Sequence, residues 1–107
     1  MRRAGRIDDN HTDNVRALRC VGCAVISVAG IGRGVPDLIV RSPFSGRIHL
    51  LEVKDGRKPP SRRTLTPDEA RFHAEWPNSV TIVLDVASAL AAVGATSSGQ
   101  APRKAPT

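Results

Sequence analysis

Two short apolar runs near the middle of the chain carry ionisable residues where a buried strand would ordinarily have none. They are Gly34-Val35-Pro36-Asp37-Leu38-Ile39-Val40 and His49-Leu50-Leu51-Glu52-Val53-Lys54-Asp55. Strand side chains alternate faces, so Glu52 and Lys54 share one side and Leu51 and Val53 the other. Two residues of rise put roughly 6.5–7 Å between that carboxylate and that ammonium. Pro36 has no N–H for a ladder and suits the first position of a strand, which sets Asp37 at the entrance. The turn Ser42-Pro43-Phe44-Ser45-Gly46 folds one run back on the other as a hairpin, bringing Asp37 near Glu52.

The flanking pattern supplies the other elements. Val15, Leu18 and Val21 recur at helical spacing, with Asn10 as N-cap, Asp13 three residues later and Gly22 as terminator. Ala24–Val28 reads as a first strand. Thr66 as N-cap, Pro67 at the first helical position, Glu69 at the third and Leu65 as a staple open a second helix that runs to Pro77. Val80–Leu84 is nearly continuous in apolar residues, the pattern of a strand covered on both faces. Val86–Val93 forms a closing helix between Asp85 and Gly94. Residues 1–6 read as a flexible basic arm, 7–94 as one domain and 95–107 as a disordered tail. The order helix, strand, hairpin, helix, strand, helix predicts an α/β sandwich with a mixed central sheet.

Charge adds a partner to this picture. Sixteen Lys and Arg against ten Asp and Glu leave a net charge of +6, which suggests a polyanion, although at least half of the excess lies in the two end segments. No apolar run is long enough to span a membrane and the N-terminus has no signal-type apolar stretch, which predicts a cytoplasmic protein. Cys20 and Cys23 have the C-x-x-C spacing, but His11, His49 and His73 are scattered singly, so free, buried thiols are expected rather than zinc. Gly30, Gly32 and Gly34 follow a strand as G-x-G-x-G, yet a second strand comes next, which excludes a pyrophosphate loop and a nucleotide cofactor. Two carboxylates converging beside a lysine suit a hard divalent cation and a phosphate.

Pro36-Asp37, a hairpin and Glu52-Val53-Lys54 resemble the PD-(D/E)xK nuclease signature. The wording around them is similar to the VRR-NUC branch, especially its small stand-alone phage-type members, over about Arg6 to Val93. The resemblance implies a restriction-endonuclease-like αβββαβ core and a Mg²⁺- or Mn²⁺-dependent endonuclease that leaves 5′-phosphate ends. Asp37, Glu52 and Lys54 become the catalytic residues, with the metal held by Asp37, Glu52 and the Val53 carbonyl. In that family the first helix lends an acid to the metal site. Asp13 falls there with one methylene less than the usual Glu, and simple helix capping explains it equally well. A helical polar residue also supports many such sites. Glu69 occupies its position, but capping already accounts for it, and His73 reads as a proton shuttle or a partly buried histidine.

Arg57, Lys58, Arg62 and Arg63 form a proline-rich loop just after Lys54, either a solvated linker or a phosphate-contacting arm, and the resemblance favours DNA. Arg33 meets a phosphate from the glycine loop, whose backbone approaches DNA closely. So small a chain has no base-reading module, so branched DNA such as a four-way junction, cut by a homodimer, is the expected substrate. Leu84, Leu90, Val93, Phe72 and Trp76 are candidates for the shared surface. A DNA-binding module with a vestigial site, or a subunit that cuts only inside a larger replication or packaging complex, are the alternatives.

Overall fold

The computed structural model describes residues 9–95. The basic arm of residues 1–6 and all but the first residue of the expected tail lie outside that range; Ala95 itself is buried against the core. The elements run α1 (Asp9–Cys20), β1 (Ala24–Ser27), β2 (Leu38–Arg41), β3 (Ile48–Val53), a 3₁₀ turn (Pro60–Arg62), α2 (Pro67–Glu75), β4 (Val80–Val83) and α3 (Val86–Ala92). The strands form one mixed sheet in the order β1-β2-β3-β4. The first three are antiparallel neighbours and β4 joins β3 in parallel, as the intervening α2 crossover allows. No described helix is long and apolar enough to cross a membrane.

Register assigns every strand residue to a face. Val25, Leu38, Val40, Leu51 and Val83 point to one side, where they bury against Leu18 of α1, Ala89 of α3 and Val93 just past its end. Burying a leucine or valine of this kind contributes roughly 1.5–3 kcal/mol, so this single layer carries most of the stability. Asn10 ties α1 to the sheet, its amide donating to the Lys54 carbonyl at 2.9 Å and the Leu84 carbonyl at 3.4 Å. It therefore lies inside the first turn of α1 rather than capping it, and it is buried because only there can it reach two strand ends. Ser42 closes the hairpin: its hydroxyl donates to the Val93 carbonyl at 2.6 Å and accepts from the Phe44 and Ser45 amides.

The opposite face carries Ile26, Ile39, Ile48, Leu50, Val80 and Ile82, and it is only partly covered. Ile26, Ile48 and Ile82 are 59, 67 and 42% exposed. The expectation that β4 is covered on both faces is thus corrected. It is an edge strand with Thr81 and Ile82 exposed, because it pairs with β3 on one side and has no strand on the other. Of the candidates for a shared surface, the core claims Val93, fully buried, and Leu90, packed against it, while Trp76 is exposed. The proline-rich loop, expected to hold no regular element, makes one 3₁₀ turn begun by Pro60.

The helix α2 starts as its sequence dictates, with Thr66 and Glu69 in a reciprocal capping box. Its first turn lies against the glycine loop. Gly34 has φ +81°, and a Cβ there would run into the Asp68 carbonyl. Close approach is therefore its role, but to α2 rather than to DNA. Gly34→Ala should destabilise the domain by roughly 2–5 kcal/mol in urea unfolding, about 1–2 from left-handed strain and about 1–3 from the backbone clash. Gly46→Ala, at φ +72° with open space around the added methyl, should cost only the left-handed strain of about 1–2 kcal/mol. Equal losses at the two positions would show that α2 does not press on Gly34.

Candidate functional site

The β2–β3 register pairs Leu38 with Leu51, and one further step along the hairpin sets Asp37 opposite Glu52. Asp37 is fixed at both ends of the residue. Its carbonyl accepts from the Val28 amide at 2.8 Å and its Oδ2 from the Val53 amide at 2.8 Å. Val53 thus enters the site through its N–H as well as lying where the carbonyl ligand is expected. Glu52 is 2% exposed, and its Oε1 has no hydrogen-bond partner among the described residues. Lys54, just past the end of β3, places its Nζ 3.8 Å from Glu52 Oε2 and 2.8 Å from Glu69 Oε1.

Glu69 is the residue that sequence reasoning set aside. Its Oε1 accepts from the Thr66 amide at 2.9 Å and from Lys54 together, so one oxygen both caps α2 and grips the lysine. Capping explained the residue locally, and nothing in the sequence shows that α2 would swing its first turn over the end of β3. The signal at hand was the helical polar position of the resembled family.

Electrostatically the cluster is unbalanced, with Asp37, Glu52 and Glu69 set against one ammonium. Burial, then the charges of Asp37 and Glu69 and a hydrogen bond with Asp37, push the Glu52 carboxyl up to about 9, more than Lys54 can offset. Burial also acts to raise Glu69, but the hydrogen bonds from Lys54 and the Thr66 amide prevail and hold it below its ordinary value. At neutral pH Glu52 is therefore protonated in the isolated protein. With Oε1 lacking a hydrogen-bond partner among the described residues, this desolvated carboxyl faces a second acid, and the proton it keeps is what limits their repulsion.

Other expected residues fall elsewhere. Asp13 is exposed, pairs weakly with Arg16 at 3.5 Å and faces Arg57, and it does not act on Glu52. With Asn10, one turn earlier, it lines a cavity beside the ends of β3 and β4, whose other walls include Asp55, Arg57 and Leu84. Among the described residues, no three His, Cys, Asp or Glu side chains group in a way that would hold a metal by themselves. Arg57 is engaged by Asp55, at 3.0 Å through both Nε and Nη2, and that pairing holds Asp55 down to about 2. Lys58 and Arg62 stay exposed after Lys54, and Arg63 is half-buried with its Nε unpartnered among the described residues. Arg33 is exposed in the glycine loop at φ 59°. His73 on α2 is half-buried, its Nε2 without a partner among the described residues. Cys20 is exposed and Cys23 buried, both as free thiols, so the expectation of two buried thiols holds for one; Cys20 ends α1 on its outer side.

A raised Glu52 pKa fixes the sign of a stability effect. The folded value lies above the unfolded one, so the contribution is fully present below pH ~4.5 and is lost as pH rises toward 9. Glu52→Gln should accordingly stabilise the metal-free protein more at pH 8 than at pH 5. The difference in melting midpoint should be at least about 4–8 °C, the equivalent of about 1 kcal/mol in a domain of this size. A gain independent of pH would mean that Glu52 is not held protonated. Compared with family models, with curated proteins and with solved structures, the chain matches none.

Proposed function

We propose that this protein is a metal-dependent DNA endonuclease with a PD-(D/E)xK-type site on a restriction-endonuclease-like core. The observation that carries the reading is Glu52: buried, with one oxygen unpartnered among the described residues, opposite Asp37 and beside Lys54. These donors fit Mg²⁺ or Mn²⁺, since Mg²⁺ is commonly held by one or two carboxylates and keeps several waters for a phosphate to replace. Asp37, Glu52 and the Val53 carbonyl would be its protein ligands. A divalent ion bound there supplies a water of lowered pKa and neutralises charge developing on the phosphorus oxygens.

The chain's own residues do the rest. To serve as a ligand Glu52 would have to give up its proton to solvent, which makes metal affinity rise with pH. The Val53 amide holds the Asp37 carboxylate in one orientation. Lys54 has three donor hydrogens, of which Glu69 takes one. The remaining donors are directed at the attacking water or at a non-bridging oxygen as a fixed positive charge. Lys58, Arg62, Arg63 and Arg33 contact flanking phosphates. A homodimer cutting branched DNA belongs to this reading, because resolving a junction needs two cuts on opposite strands. Because no three ligating side chains group around one point among the described residues, one second reading stands, a DNA-binding module whose site no longer cuts.

The test is cleavage of linear, forked, flap and four-way DNA by purified protein in Mg²⁺, Mn²⁺ or EDTA, with light scattering for the dimer. Asp37→Ala and Glu52→Ala should reduce cleavage to background while DNA binding persists, and Lys54→Ala should lower the rate by about 10²–10³-fold with Mn²⁺ affinity kept. Cleavage retained by both acid variants excludes the site. DNA binding without cleavage or Mn²⁺ binding by the wild type selects the binding module. Neutralising Lys58, Arg62 and Arg63 together should weaken binding to all DNA shapes alike and flatten the salt dependence by about 0.9 in log–log slope for each phosphate no longer neutralised. Neutralising Arg57 alone should change that slope least, since Asp55 already neutralises it.

A further inference from the structure

A second cavity opens at the far end of the half-covered sheet face. Its volume is about 510 Å³, and its walls include Ile48 and Leu50 of β3, Trp76, Asn78 and Ser79 of the turn after α2, and Arg47. Trp76 is 50% exposed and stacks flat on Phe72, with centroids 5.2 Å apart and planes 2° apart. Its backbone is held rigidly. The Trp76 amide donates to the Phe72 carbonyl at 2.9 Å and the Trp76 carbonyl accepts from the Ser79 amide at 3.1 Å. Asn78, in the left-handed region at φ 61°, completes that turn. A pre-set indole backed by a second ring is an unusual thing to leave in water, because the fold gains nothing from its outer face.

We infer that this cavity is a subsite for one unpaired nucleotide, its base lying on Trp76 and its phosphate against Arg47. Ile48 and Leu50 provide the apolar wall a base needs, while Asn78 and Ser79, whose hydroxyl donates to the Pro77 carbonyl at 3.2 Å, give the cavity polar lining. His49 bonds to Ser45 Oγ at 2.7 Å, and burial, then the Arg47 charge, lower its pKa, so Arg47 is the cation of the cavity. A second copy of the chain is a poorer occupant, since it would bring another strongly basic protein against that guanidinium. Ile48 and Glu52 are four residues apart on β3, a separation of roughly 13 Å along one face, within the span of a few nucleotides. The subsite would therefore anchor a single-stranded arm while a phosphate nearby lies at Asp37 and Glu52. This inference rests on the nucleic-acid reading above but not on its metal chemistry.

Trp76 is the only tryptophan and the chain has no tyrosine, so intrinsic emission reports on this one ring. A short oligothymidylate added in EDTA should quench that emission saturably, and blunt duplex at the same phosphate concentration should not. Trp76→Ala should weaken oligothymidylate binding roughly 5- to 150-fold by anisotropy with circular dichroism unchanged, and Trp76→Phe should recover most of it. Arg47→Ala should lower the single-strand salt slope by about 0.7, the value for one phosphate. Equal quenching by duplex, no quenching, or unchanged affinity in Trp76→Ala overturns the subsite. So does an emission change on dilution without DNA, which would place a second copy there. Quenching is read in EDTA with no cleavage measured, so it does not depend on metal chemistry at Asp37 and Glu52. The subsite thus fails or stands separately from the nuclease site.

Discussion

Two carboxyl groups face each other across the β2–β3 hairpin, and the surrounding structure exists in the form that holds them there. Asp37 is pinned by the Val28 and Val53 amide hydrogens, so it cannot turn away from Glu52. Glu52 is buried beside Lys54, which Glu69 in the first turn of α2 holds in place. The pair is destabilising in isolation, since two acids close together in a desolvated place cannot both ionise. What offsets it is local: one proton on Glu52, and Lys54 shared with Glu69. Buried, incompletely satisfied polar groups of this kind are found where chemistry needs them more than the fold does.

The asymmetry of the sheet follows from the same arrangement. One face packs α1 and α3 and supplies the hydrophobic stability. The other is left to α2 alone, a helix with no buried residue of its own, seated by Gly34, by Lys54 and by the packing around Trp76. The core and the candidate site are thereby separated. Substitutions on the α2 face need not disturb the core layer, and α2 depends on few interactions that a ligand could alter.

Much of the local structure was legible in the chain. The capping box at Thr66 and Glu69, the turn at Ser42–Gly46, the hairpin and the Asp85-capped last helix all follow from short-range chemistry, and all are present. The Asp37–Glu52 encounter was legible as well, since a hairpin with a fixed turn has a fixed register. Errors arose where local signals were mistaken for placement. Val80–Val83 has the composition of a covered strand but lies at an edge, and Asn10 has the chemistry of a cap but reaches across to two strand ends.

The sequence by itself determined which residues would be strands, helices and turns, and that an acid would meet an acid beside a lysine. These are consequences of periodicity, caps and hairpin register, interactions that span a few residues. Tertiary structure alone decided that Glu69 would hold Lys54, that Asp13 would face Arg57, and that Trp76 would stand over Ile48 and Leu50. Each of those depends on which face of the sheet a helix lies on and how far along it sits. That choice is made by the competition of whole elements for the same core, and no single stretch of the chain contains it.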